Sequence, residues 1–347
     1  MGSNLLEAPR SHVQRYGCAT PVRPTGWQDA GVLHVRLISP SETTPAVVEL
    51  FEGDPTAANL VLMRGTAQDG RADLLMFDLA RESANSLLEC LRDLGLEKSG
   101  SIAFDEQDTL LSQAADDAEK AAPGRPSDGV IWDAIEAKAH EDARLSWSFV
   151  TFLLLAVLLA GTGRYLDQLI LIVGAMVVGP EFAPVSAICF GLAGRRYRLV
   201  LPALRTLMTG FAAAILVALA AWAVAYQLGA IDREQAATGE LTQFIIQPDA
   251  WSLIVAMLAG VAGVLSLTAA KSAALVGVFI SVTTVPAAGA IALSTGVGVW
   301  SEAGRSLLQL GINLAGIILA GTLTMLVQRT VWHHVVLPRQ RQRRGVR

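Results

Sequence analysis

The sequence predicts an α-helical polytopic membrane protein with six spans. The spans form two inverted three-helix repeats with broken helices, preceded by a small α+β domain of βαββαβ order. Three observations carry this. Hydrophobic residues make up 52% of the 347-residue chain, charged residues only 17%, and mean hydropathy is +0.44, a balance foreign to soluble proteins. The apolarity is concentrated, because residues 1–145 hold most of the charge while long apolar runs fill 146–332. Finally, the apolar part matches itself at an interval of about 103 residues.

In the polar part, residues 1–30 read as a flexible tail. HVRLIS (34–39) is short and β-branched, a strand. In SPSETTPAVVELFEG, Ser39 or Ser41 supplies an N-cap, and Val47, Val48, Leu50 and Phe51 form an apolar face. NLVLMRGTA (59–67) and ADLLMFDLA (72–80) flank QDG at 68–70, whose Asp-Gly signals a hairpin. RESANSLLECLRDLGL (81–96) reads as an amphipathic helix carrying Leu87, Leu88, Leu91 and Leu94 and closed by Gly95; SIAFDE (101–106) is the last strand. This order over 31–106 resembles the ferredoxin-like fold and, among its members, ACT-type regulatory domains. The resemblance implies a cytosolic sensor of a small ligand or an oligomerising lid, with a plain docking domain as the other reading. AADDAEKAAPGRPSDG marks 107–130 as a linker. VIWDAIEAKAHEDARLS (130–146) follows as an amphipathic helix with Ile131, Ile135 and Ala139 at helical spacing, so that 107–145 joins the two parts.

Six apolar segments lie near 146–163, 166–193, 199–228, 251–269, 272–297 and 304–331, each close to or above the roughly 20 residues a span needs. The second, third, fifth and sixth exceed one minimal span, so tilt or interruption is expected. Arg195, Arg196, Arg198, Lys271 and the basic tail within 333–347 fall on one side. Arg164 with Asp167, the acidic 229–250 loop, and Glu302 with Arg305 fall on the other. The positive-inside rule places both termini in the cytoplasm. MGSNLLEAPRSHVQRYG lacks an apolar core of signal-peptide length, so no cleaved leader is expected. Cys18, Cys90 and Cys189 are far apart and lack metal-ligand spacing; free thiols fit a reducing compartment.

The repeat is carried by several matches in order. Trp147-Ser148 opens the first segment and Trp251-Ser252 the fourth. VGAMVVGPEFAPVSAI (173–188) aligns without a gap on VGVFISVTTVPAAGAI (276–291), and RTLMTGFAAAI (205–215) resembles RSLLQLGINLAGI (305–317). Three spans per copy is an odd number, so the second copy enters from the opposite side, as in many transporters. Interrupted segments at matching places then mark the site. Here these are Gly179, Pro180, Glu181 and Pro184 in one copy, and Ser281, Thr283, Thr284 and Pro286 in the other.

Proline removes a backbone donor, and lipid offers nothing to satisfy the freed groups, so such breaks persist inside a bundle or beside a wet cavity. Glu181 is the sharpest residue, because a carboxylate near mid-membrane costs about 2.5–3.5 kcal/mol on insertion scales. It reads as a proton-titrating or cation-binding group; the structural alternative is a Glu bonded to broken-helix amides or paired with an arginine such as Arg205. Asn313 and Gln309 lie one turn apart and face either the pore or another helix. Arg205 and Arg305 read as snorkelling residues. Gly260, Gly263, Gly311, Gly316 and Gly321 read as close helix packing.

VGAMVVGPEFAP, GLAGRRYRLVLPALRTL and SAALVGVFISVTTVPAAGAIAL resemble the bacterial uncharacterised hydrophobic protein family, that of domain of unknown function 389, over about 146–330. The resemblance implies a multi-pass protein of a prokaryotic cytoplasmic membrane and implies no substrate. Gly179 stands where the family usually has Ser, and Glu181 where an apolar residue is common. Together these features point to a transporter or channel-like protein for a small solute or ion, with a cytosolic regulatory domain. The alternative is a non-transporting sensor or assembly scaffold. No HExxH, nucleophile–base pair or paired carboxylate lies in the spans, so an enzyme is not expected, nor a cofactor or resident metal. Membrane lipids are the natural partner of the arginine tail, nucleic acid is not, and homo-oligomerisation stays open.

Overall fold

The computed structural model describes residues 31–66, 70–106, 110, 112–122, 132–237, 241–243, 249–268 and 283–331. The polar part folds around one four-stranded antiparallel sheet. Its strands are β1 (Val32–Pro40), β2 (Ala57–Met63), β3 (Ala72–Ala80) and β4 (Ser101–Glu106), in the spatial order β2-β3-β1-β4. Alternation sets the buried face: Leu33, Val35 and Leu37 of β1 and Leu75, Phe77 and Leu79 of β3 point the same way. They pack beneath Val47 of helix α1 (Thr44–Glu49) and Leu87, Leu88 and Leu91 of α2 (Ala84–Asp93).

Several boundaries differ from expectation for identifiable reasons. Neither Ser39 nor Ser41 caps α1, because Ser39 belongs to β1 and the Ser41 hydroxyl donates to Asp73 Oδ1 at 3.1 Å. The helix expected over 81–96 is a 3₁₀ turn (Arg81–Ser83) followed by α2. Gly95, at φ +74, then turns the chain into the single-turn α3 (Leu96–Ser99). β2 starts earlier and ends at Met63, with a register shift between Ala58 and Val61 where Asn59 adopts φ +55. The expected linker contains a helix, α4 (Gln113–Ala121). Ser112 caps it by accepting from the Ala115 N–H, and buried Ala115 and Ala118 face β2 and β3. Ala, Glu and Lys are strong helix formers, and that outweighed the charge that made the stretch read as a linker.

α5 (Trp132–Asp142) links the two parts. Its first backbone N–H donates to Asn85 Oδ1 of α2 at 3.3 Å, and its body packs on α8 of the apolar part. The apolar part comprises α6 (Trp147–Tyr165), α7 (Leu169–Val178), α8 (Phe182–Ala193), α9 (Tyr197–Gln227), the short α10 (Arg233–Ala237), α11 (Ala250–Thr268), α12 (Thr284–Gly296) and α13 (Trp300–Val331). Among the described residues four of these, α6, α9, α11 and α13, are long and apolar enough to cross a membrane, and α7 with α8, bent by 53° at the break, adds a fifth where the bent pair is counted as one span. Of the segment expected over 272–297, residues 283–297 fall among the described residues. Large apolar side chains such as Leu216 and Val217 on α9, Leu258 on α11 and Leu319 on α13 are exposed, as a lipid-facing surface requires.

Hydrogen bonds sort the helix ends into two faces. At one, the Thr206 hydroxyl of α9 donates to Ala143 O, Arg329 of α13 to Ala193 O at the end of α8, and Arg196 pairs with Glu136 of α5. At the other, the Asp232 N–H donates to the Tyr165 hydroxyl and Arg233 donates to Gly298 O. Glycines let the helices between approach closely. A Cβ on Gly260 would lie 2.6 Å from Ile317 O, and one on Gly321 2.9 Å from Cys189 Sγ, while Gly263 seats the Phe182 ring and Gly316 meets Ala256. Gly311 differs from the packing expectation: nothing lies within 4 Å of its Cβ position.

Candidate functional site

The break between α7 and α8 follows from its residues. Gly179 closes α7 with its N–H on Ala175 O, then turns extended (φ −66, ψ 126). Pro180 cannot donate, and Glu181 occupies the cap of α8. Proline is the third residue of both α8 (Pro184) and α12 (Pro286), where a missing N–H costs no intrahelical bond.

The break between α7 and α8 meets the start of α12. Thr284 Oγ1 donates to Glu181 Oε1 at 2.7 Å, and both side chains are buried. Val285 closes over Gly179: a Cβ on Gly179 would lie 2.6 Å from Val285 Cγ2 and would run into Glu181 Oε2. The carboxylate therefore fills the space that a side chain at 179 would need. Beside the pair, Asn313 of α13 donates from Nδ2 to Thr283 Oγ1 at 2.7 Å, and Gln309 Nε2 reaches Asn313 Oδ1 at 3.5 Å. Among the described residues, Glu181 Oε2, Gln309 Oε1 and Ser306 Oγ are buried without a hydrogen-bond partner.

The depth of this cluster follows from helix lengths. α8 runs from Glu181 to the face holding Arg195 and Arg196, and its 12 residues span about 18 Å. α12 runs from Thr283 to the opposite face, and its 13 residues span about 20 Å. The contact thus lies about equally far from the two faces. Two helix N-termini converge there, each worth about half a positive charge, and together they offset the cost of a carboxylate at that depth.

Gly179, Pro180, Glu181, Pro184, Thr283, Thr284, Pro286 and Asn313 are therefore gathered around two converging helix starts; Ser281 lies outside the described residues. Arg205 is exposed, and the hydrogen bond to Glu181 comes from Thr284. Sequence reading left Gln309 undecided and passed over Ser306. The signal was present in the i, i+3, i+7 spacing of Ser306, Gln309 and Asn313 on one helix.

A second polar cluster lies at the face away from α5. Arg164, 1% exposed, pairs through Nη2 with Glu302 Oε2 at 3.5 Å and donates from Nη1 to Thr242 Oγ1 at 2.8 Å. Asp167 accepts from the Leu241 and Thr242 N–H groups and the Thr242 hydroxyl. Burial pushes the Asp167 carboxyl upward, but these three bonds and the Arg164 charge outweigh it and hold the group below the usual carboxylate range. Sequence reading used Arg164, Asp167 and Glu302 only as loop charges.

These features define a multi-helix membrane protein with a polar centre where two helix starts converge inside the bundle. Residues 176–319, which include Glu181, Thr284 and Asn313, match the family model described as domain of unknown function (DUF389). An uncharacterized protein of Methanocaldococcus jannaschii is 27% identical over 205 residues, which are 59% of this chain and 60% of that relative's length. No solved structure matches the chain.

Proposed function

We propose that the protein is a transporter or channel-like protein of the cytoplasmic membrane for a small solute or ion, working where two broken spans meet, with Glu181 exchanging a proton or cation. The hydrogen bond from Thr284 to Glu181 carries this reading, because it joins the two interrupted segments at mid-membrane around an ionisable group.

The reading counts six spans in two inverted repeats. Element lengths support it: α6 and α11 have 19 residues each, α8 and α12 have 12 and 13, and α9 and α13 have 31 and 32. Packing is reciprocal, with α8 against α13 and α12 against α9. Exposed aromatics start equivalent helices, Trp147 with Trp251 and Tyr197 with Trp300, as anchors at interfaces on opposite faces would. Arg195, Arg196 and Arg198 share a face with α5, which supports a cytoplasmic polar domain.

The strand order β2-β3-β1-β4 supports a ferredoxin-like domain, and α5 gives it a regulatory route. That helix touches α2 at one end and lies along α8, whose start bears Glu181. The test is Glu181→Gln in proteoliposomes: loss of protein-dependent, pH-dependent proton flux supports the reading, and unchanged flux contradicts it.

A further inference from the structure

We infer that one face of α13 is a water-filled half-path for protons, running from the face that holds Trp300 to the Glu181–Thr284 pair. Glu302, Ser306, Gln309 and Asn313 succeed one another at intervals of four, three and four residues, so they form one stripe along the helix. The stripe is about 16 Å long at 1.5 Å per residue, enough to reach from the helix start to mid-membrane. Ser306, Gln309 and Asn313 are 0%, 0% and 1% exposed and face the bundle, whereas Leu307 and Leu308 between them face outward.

Polar groups in such a place require partners, because an amide or hydroxyl left unbonded in an apolar medium is strongly disfavoured. At the inner end the Asn313 amide donates to Thr283, which adjoins Thr284, and the Gln309 amide reaches Asn313. Among the described residues Ser306 Oγ and Gln309 Oε1 have no partner. Both atoms accept hydrogen bonds, and a file of waters satisfies both. At the outer end Glu302 is 15% exposed, pairs with Arg164 of α6 at 3.5 Å and accepts from the Ser294 hydroxyl at 3.3 Å, which sets an ion-paired carboxylate at the mouth. At the inner end stands Glu181, with Oε2 unpartnered. A chain of hydroxyl, amide and water groups between two carboxylates is a route for protons. It is not a cage for a metal ion, which needs several oxygens at one point.

The cargo rests on the reading of Glu181 given above; the water path does not, and its test involves no transport. In full-length protein with Cys18→Ser, Cys90→Ser and Cys189→Ala, single cysteines are placed at Ser301, Ser306, Gln309 and Leu308. Membrane vesicles are treated with an impermeant, water-borne thiol reagent from each side in turn. Ser301→Cys, exposed at the start of α13, defines the side. The half-path predicts that Ser306→Cys and Gln309→Cys react from that same side at least ten times faster than from the other. Leu308→Cys, set in lipid, stays unreacted. Failure of both Ser306→Cys and Gln309→Cys to react from either side, or reaction only from the opposite side, overturns it. Ser306→Cys exchanges only oxygen for sulfur, so a folded variant is expected, and either position alone decides. Labelling without proton flux retains the path and removes the cargo.

Discussion

Thr284 donates a 2.7 Å hydrogen bond to Glu181 across 103 positions of sequence, the same interval at which VGAMVVGPEFAPVSAI matches VGVFISVTTVPAAGAI. Residues in equivalent places of two copies touch only near the axis that relates the copies. Under the proposed inverted repeat, that axis passes through the pair. The two sides are unlike, a carboxylate facing a hydroxyl, so the site is asymmetric.

The closeness of Gly179 to Glu181 makes those two positions interdependent. Gly179→Ser alone should destabilise the protein by about 1–3 kcal/mol, the usual cost of overpacking. Adding Glu181→Leu should recover at least about 1 kcal/mol of it, because the carboxylate no longer occupies the space. Denaturant or thermal unfolding of the two single variants and the double variant in detergent measures the coupling; strict additivity would sink it.

Arg164 and Glu302 should behave as a buried ion pair. Arg164→Ala, which leaves Glu302 and Thr242 without their cation, is expected to cost about 3–5 kcal/mol. The paired apolar replacement Arg164→Met with Glu302→Leu should cost much less. Equal losses in the single and double variants, read from unfolding in detergent, would show that the pair contributes through something other than charge.

Asp73 gives the polar domain a pH dependence. The Gly65 N–H and the Thr44 hydroxyl, followed by that of Ser41 and the Arg64 charge, hold its carboxyl below the usual range against the upward push of burial. A depressed folded pKa adds stability that is fully present above the unfolded value, about 3.9, and is lost as pH falls through the folded one. Asp73→Asn should therefore lower the melting temperature of the full-length protein at pH 7, by a deficit that shrinks as pH falls below about 4 toward the folded value. A deficit as large at pH 3 as at pH 7 would contradict this.

Gly260 and Gly321 should tolerate no side chain. Gly260→Val drives carbon into the Ile317 carbonyl of α13 and should cost roughly 1–3 kcal/mol, whereas Gly311→Ala, into open space, should be neutral or stabilising by a few tenths through helix propensity. Comparable melting shifts for the two would mean that the α11–α13 contact adjusts more freely than its geometry indicates.

The strands, the amphipathic α2 and the long spans were legible because each rests on a local period, two for β1 and β3 and a long apolar run for α6, α9, α11 and α13. The break at Gly179-Pro180 was legible because proline and glycine act on the backbone where they stand. What escaped were decisions made by distant partners. Ser41 caps nothing because Asp73, far along the chain, claims its hydroxyl. The bond from Thr284 to Glu181 is visible in sequence only as an alignment column, and pairing with an arginine such as Arg205 stood as one structural alternative. Ser306 passed unnoticed because a serine in a span is ordinary; only burial beside Gln309 and Asn313 gives it meaning.

The most direct measurement is proton flux into liposomes loaded with a pH-sensitive dye, under an imposed pH gradient and a clamped membrane potential. Wild type, Glu181→Gln and Thr284→Val are compared at equal protein content, each verified as folded by its melting curve. The account predicts protein-dependent flux in the wild type, at least a tenfold loss in Glu181→Gln and a smaller loss in Thr284→Val. Flux in Glu181→Gln equal to wild type, or no wild-type flux above protein-free liposomes, would contradict it.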